Sequence, residues 1–302
     1  MALRAKKPII QESRFQALVY ANRGVGKTHF CCSFPNSYYI DTEGLEKHKH
    51  LVKMLIDNGS HLVRINDISE IVKEVRDLLS TKHDFKTIVI DSITFPFHLL
   101  ANMEAERLSR VSKGDDDGTG FGKNLAKAKR LTFELGMLLT RVDMNVIVTA
   151  HEKTKYEKNI EMGKVSDIND KMEYALGSVL NLKRIGDKVK AHIEKSRYPE
   201  LKTFEMIDFD NGYEVLCKRL GRGLFEREVN PEELATPDQI TEFNRLISVL
   251  NVPDEVVQKY VINARATSVD QMNKEFMQKS IDHLLSKVNN NQNNNVPHRT
   301  SV

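Results

Sequence analysis

The chain has 302 residues, of which 40% are hydrophobic, and a formal net charge of +3. That is enough apolar sequence for one sizeable core and a smaller satellite domain, and too small a charge imbalance for global electrostatics to dictate a nucleic-acid partner. Cys31, Cys32 and Cys217 fit neither a disulfide framework nor a zinc spacing, no N-terminal stretch resembles a signal peptide, and no run approaches the roughly 20 apolar residues of a membrane span. Reduced thiols, a cytoplasmic location and no membrane partner are the expectation.

Residues 1–13, with Arg4, Lys6 and Lys7, read as a basic, solvated arm. From 14 to 230 short β-prone runs alternate with amphipathic helices. Phe15–Tyr20 is a strand that ends at a glycine-rich loop, and a helix starts at Lys27 and stops before Pro35. Ser37–Asp41 and Leu62–Ile65 are strands, and Ile68–Leu79 carries a helical apolar stripe. Thr87–Ile90, ending in Asp91, reads as a buried parallel strand. Phe97–Leu108 and Asn124–Val142 are helices, separated by the glycine-rich loop Lys113–Gly122. Asn145–Thr149 is another buried strand, and Glu152–Lys171 is polar enough to predict a long loop. Ser178–Val215 predicts β-hairpins with turns at Gly186-Asp187 and Asn211-Gly212. The order predicts a doubly wound, mostly parallel α/β sheet with a β-hairpin extension. Thr236-Pro237 opens a small helical domain over 231–287, and the Asn-rich residues 288–302 predict a disordered tail.

Ala21-Asn22-Arg23-Gly24-Val25-Gly26-Lys27-Thr28, with His29 after it, lies between strand and helix and has the pattern of a P-loop. Such a loop wraps backbone N–H groups around phosphate oxygens and aims a helix N-terminus at them. Lys27 supplies a cation to the β/γ-phosphates and Thr28 a hydroxyl to Mg²⁺, which implies ATP with Mg²⁺ as the ligand. Ala21 stands where glycine is usual. Asp91, at the end of an apolar strand, has the Walker B pattern of a second Mg²⁺-holding group.

Ile40-Asp41-Thr42-Glu43-Gly44 resembles the run that follows the P-loop helix in RecA-like recombinases. That resemblance implies that Glu43 activates the attacking water. Thr149-Ala150-His151 stands at the strand where the same fold carries a γ-phosphate sensor, and His151 is the matching residue. Glu194-Lys195-Ser196-Arg197 resembles the Lys-x-Arg element that reaches a neighbouring subunit's ATP site, which makes Lys195 and Arg197 trans-acting candidates. Together these motifs, over Phe15–Asp210, resemble RecA-like P-loop ATPases, and most nearly the phage-encoded ATP-binding proteins of the single-strand annealing and recombination group. The implied fold is a RecA-like P-loop NTPase. The implied activity is ATP hydrolysis, slow and stimulated by DNA or assembly, in a homo-oligomeric ring or filament in the host cytoplasm. The implied partners are single-stranded DNA and a recombination or replication protein.

Local charge adds little to the DNA expectation. Ser109–Lys123 and Glu152–Lys171 lie where the family's DNA loops fall, but Asp115-Asp116-Asp117 centres the first, and acids balance the lysines of the second. Phe121 and Tyr156 could stack on bases. Lys183–Arg197 is the most basic core stretch. Two other readings stay open: a helicase-loader-like ATP switch that binds a protein partner, and a small-molecule kinase, for which no arginine-bearing lid is found. His48-Lys49-His50 reads as a helix surface.

Overall fold

The computed structural model describes residues 13–111, 123–157, 160–168 and 170–294. The expected basic arm up to Glu12, the loop Lys113–Gly122 and residues 295–302 lie outside the described residues, as do Phe121 and Lys158.

The first strand, β1 (Gln16–Ala21), is buried almost end to end and leads into α1 (Lys27–Cys32). β2 (Ser37–Asp41) is followed by a 3₁₀ turn at Leu45–Lys47 and by α2 (Lys49–Asp57), then β3 (His61–Arg64) and α3 (Ile68–Ser80). β4 (Thr87–Asp91) is fully buried, which explains its unbroken apolar run. After it come α4 (Thr94–Val111), α5 (Lys123–Leu139) and the long β5 (Asn145–Glu157). β6 (Ile160–Ser166), α6 (Asp170–Ala175), β7 (Ser178–Ile185), β8 (Lys188–Ser196) and β9 (Met206–Asp208) follow, and then α7 (Gly212–Leu220) and α8 (Arg222–Glu226). The C-terminal helices are α9 (Pro237–Val249), α10 (Asp254–Asn263) and α11 (Lys274–Asn294).

The sheet runs β3-β2-β4-β5-β1-β7-β8-β9, with β6 paired to β5. Neighbours from β3 to β7 are parallel, and β7-β8-β9 form an antiparallel extension. The arrangement is α/β, a mostly parallel sheet with a β-hairpin extension, as the sequence predicts. In-register parallel pairing aligns the carboxyl ends of the strands: Ala21 lies opposite His151, and Asp41 opposite both Asp91 and Arg64. Open α/β sheets bind ligands along that edge.

The described residues group into two compact units: those within 13–67, 84–103 and 144–229 in one; those within 68–83, 104–143 and 230–294 in the other. Read from sequence, the two folded domains, 14–230 and 231–287, meet at 230; the second unit also takes in α3 and α5, which lie against each other and share the Arg76–Glu134 ion pair. The first unit buries Phe15, Val19, Phe30, Phe34, Ile147 and Phe225 in one cluster. In the second unit Phe243, Leu246, Met272 and Leu284 form the core of the C-terminal helices. Thr236 caps α9 through a capping box with Gln239 and Pro237 at its start, as the sequence predicts. The buried Arg141 guanidinium donates to Glu232 Oε2 at 3.0 Å and to the Gln271 carbonyl at 2.7 Å, within the same unit.

Three expectations need correction. Glu152–Lys171 is no loop: β5 continues through Glu157 and pairs antiparallel with β6, because period-two alternation suffices for a ladder even where both faces are wet. Asn211-Gly212 is not a hairpin turn but the start of α7; a Cβ on Gly212 would come within 2.5 Å of the Phe30 ring, so close packing against α1 requires glycine there. The expected disordered tail begins too early, since α11 carries helix on to Asn294; an amphipathic helix, once nucleated, propagates into residues of middling propensity. No helix among the described residues is long and apolar enough to cross a membrane.

Candidate nucleotide-binding site

β1 delivers the chain to Asn22, and α1 resumes regular structure at Lys27. Between them Gly24 and Gly26 have φ of +73° and +122°, conformations that favour glycine. The loop and the carboxyl ends of β2 to β5 enclose a cleft of about 720 Å³. Arg23, Gly24, Gly26, Lys27, Thr28 and His29 line one side; Thr42, Glu43, Asp91 and His151 line the other. Ala21 and Asn22 offer their carbonyls to the Lys27 ammonium, at 2.9 and 3.2 Å, and Val25 lines an adjoining cavity that shares Gly26 and His29 with the cleft. Burial lowers the Lys27 pKa, while Asp91 and Glu43 oppose that shift and favour the cation.

Asp91 is buried at the end of β4, where its Oδ2 accepts from Tyr39 Oη at 2.6 Å and its Oδ1 from the Thr149 hydroxyl. These donors satisfy a buried carboxylate and fix its plane, and each oxygen keeps a further lone pair. The Asp91–Ser92 peptide is cis. Thr28 and Asp91, a hydroxyl and a carboxylate lining the same cleft, are the hard oxygen donors that a Mg²⁺ ion accepts.

Glu43 owes its place to Asp41. The Asp41 carboxylate accepts from the backbone N–H groups of Glu43, Gly44 and Leu45 at 2.9, 2.9 and 2.7 Å, which folds the chain into a tight turn after β2. Thr42 and Ser92 cross-link this turn to the end of β4: the Ser92 N–H donates to Thr42 Oγ1 and the Thr42 hydroxyl to the Ser92 carbonyl, both at 2.8 Å. The Glu43 carboxylate then accepts from Ser92 Oγ at 2.6 Å and from His151 Nε2 at 2.7 Å. With two donors on one oxygen, led by His151, the Glu43 pKa is held down to about 2.

The structure thus brings Lys27, Thr28, Glu43, Asp91 and His151 into one cleft. It sets Lys195 and Arg197 elsewhere. Lys195 Nζ donates to the carbonyls of Glu173 and Leu176, and Arg197 Nη2 to the Tyr174 carbonyl at 3.1 Å, so both serve the carboxyl end of α6. Asp41, Tyr39, Ser92 and Thr149 shape or hold the acidic pair without belonging to any of the motifs' site residues; the signal in the sequence is Asp two residues before Glu at a strand end, an Asx-turn pattern. Cys31 and Cys32 are buried, and burial raises both thiols, Cys32 to about 12, so neither is a nucleophile at neutral pH.

The AAA domain family matches the chain over residues 13–189. Among solved structures, that of the RadB recombinase is similar at 21% identity, with 64% of this chain and 84% of that chain covered and a TM-score of 0.42. A DnaB-like replicative helicase, described with its interactions with primase, is similar at 11% identity, with 65% of this chain and 56% of that chain covered and a TM-score of 0.40. No curated protein matches the chain.

Proposed function

This chain belongs to the AAA domain family, and on that premise we propose that it binds Mg-ATP in the P-loop cleft, hydrolyses it slowly, and acts as an oligomer on single-stranded DNA in phage recombination or annealing. The observation that carries the enzymatic part is the Glu43 carboxylate, fixed by Ser92 and His151 in the cleft that Lys27, Thr28 and Asp91 also line.

The loop amides and Lys27 hold the β- and γ-phosphates, and Thr28 with Asp91 would hold Mg²⁺. The ion, when bound, neutralises charge on the phosphate oxygens. Glu43 orients a water in line with the γ-phosphorus. While His151 donates to it, Glu43 is a weak base; a γ-phosphate that draws the imidazole toward itself leaves Ser92 as the donor and lets Glu43 accept the water's proton. Lys195 and the exposed Arg197 belong in this reading to a neighbouring subunit's site.

The DNA part draws on the β5–β6 hairpin, which continues β5 beyond His151 and carries an exposed Tyr156 together with Lys153, Lys155 and Lys164, each within ion-pair distance of an acid that a phosphate would displace. Aromatic stacking with flanking cations is how single strands are held without sequence preference. Steady-state ATPase assays with and without single-stranded DNA test the whole reading. Activity that DNA raises and Lys27→Ala abolishes is the expected result; no activity under either condition overturns it. For the trans role, mixtures of Lys27→Ala and Arg197→Ala subunits should recover activity that neither variant has alone.

A further inference from the structure

β5 leaves the parallel sheet at His151, and its backbone there is held from one side by α4 and from the other by the segment after β6. The His151 N–H donates to Thr94 Oγ1 at 3.0 Å, and the Thr94 hydroxyl donates in turn to the Asp167 carbonyl at 3.1 Å. The Asp167 N–H closes the ring by donating to the His151 carbonyl at 2.7 Å. Both backbone groups of His151 are therefore held by two residues, and Thr94 is buried.

Asp167 is itself tied down through its side chain. Its Oδ2 accepts from His98 Nε2 at 2.8 Å, one helical turn beyond Thr94 on α4, and its Oδ1 faces Lys153 Nζ at 3.2 Å. Burial works against the ionised Asp167 carboxylate, but His98 and Lys153 together outweigh it and hold its pKa below the ordinary value. The first turn of α4 is anchored to the sheet as well, since the Ile93 N–H donates to the Thr149 carbonyl at 2.9 Å. One closed set of bonds thus joins α4, the exit of β5 and the base of the hairpin around the residue whose ring faces Glu43.

We infer that Thr94 and Asp167 are positioning residues for His151, which hold its backbone so that its imidazole meets the Glu43 carboxylate. This rests on the reading of Glu43 and His151 as the water-activating pair. Neither residue lines the cleft, so neither touches the phosphates; they act through His151. A shift of about 1 Å at a catalytic group can cost on the order of 100-fold in rate, and a clamp of this kind prevents such shifts.

The test uses the full chain with Thr94→Val, Thr94→Ser and Asp167→Ala. Thr94→Val keeps the shape but leaves the His151 N–H without its acceptor, Thr94→Ser restores the hydroxyl, and Asp167→Ala frees the clamp without changing β5. The expected result is a kcat about tenfold lower in Thr94→Val and Asp167→Ala, with ATP affinity unchanged and most of the activity retained in Thr94→Ser. In a Glu43→Gln background the same substitutions should cost almost nothing more, because they act through the same pair. A second readout is the His151 Nε2–H signal in ¹H–¹⁵N spectra, which should move in Thr94→Val and Asp167→Ala and stay in Thr94→Ser. If Thr94→Ser loses as much as Thr94→Val, or if Asp167→Ala leaves both kcat and the His151 signal unchanged, the inference is wrong. If Glu43→Gln itself leaves turnover intact, the proposed function fails, and the His151 signal alone still judges the clamp.

Discussion

The two halves of β5 are one continuous strand with opposite surroundings. Asn145–Ala150 is buried between β1 and β4, while Glu152–Glu157 leaves them and pairs with β6, with Tyr156 at 63% exposure. The first half is Val-Ile-Val held on both edges, so its position is fixed by packing. The second half has few buried neighbours and rests chiefly on its ladder with β6, the low-stability end of a fold. His151 sits at the junction, where a rigid support meets a segment that can respond to what it touches.

The largest expected contrast is in stability. Ile147 is fully buried, and Ile147→Ala should cost about 2–5 kcal/mol in chemical denaturation. Tyr156→Ala, a few residues along the same strand, should change stability by no more than about 0.5 kcal/mol, yet weaken single-stranded DNA binding by about 1–3 kcal/mol in a fluorescence titration. Equal stability losses would dissolve the distinction between the halves. An unchanged DNA affinity would remove the hairpin from the binding surface.

A smaller effect sharpens the junction itself. Glu43, ordinarily near 4.5, is held down to about 2 chiefly by His151. A depressed carboxylate contributes its stabilisation above the unfolded value and loses it as pH falls through the folded one, so this pair should be intact at pH 5 and weaken between 4.5 and about 2. The ¹³C carboxyl shift of Glu43 should stay that of the ionised form from pH 6 downward past its ordinary midpoint, and His151→Ala should move the midpoint up.

Much of this was legible in the residues. The P-loop, Asp41-Thr42-Glu43-Gly44, Asp91 and His151 each end or follow an apolar run, and in-register parallel strands bring such ends to one edge. The β5–β6 hairpin was not legible, because Glu152–Glu157 and Ile160–Ser166 alternate with no buried face and lack a two-residue Asn-Gly or Asp-Gly turn. Lys195 and Arg197 showed their charge but not their partners: the carbonyls they bond lie in and just after α6, a helix hidden in the same polar stretch. The grouping of α3 and α5 with the C-terminal helices was also invisible, since an apolar stripe states that a face is buried and not against what.

In the proposed function Glu43 activates water in a cleft that binds ATP without its help. Glu43→Gln keeps the shape and the Ser92 and His151 neighbours while removing the charge, so calorimetric Mg-ATP affinity and steady-state turnover separate binding from chemistry. The expected result is affinity within about threefold of wild type and turnover lower by about 100-fold or more. Turnover within about a factor of two of wild type would contradict it and leave Glu43 as the structural partner of His151.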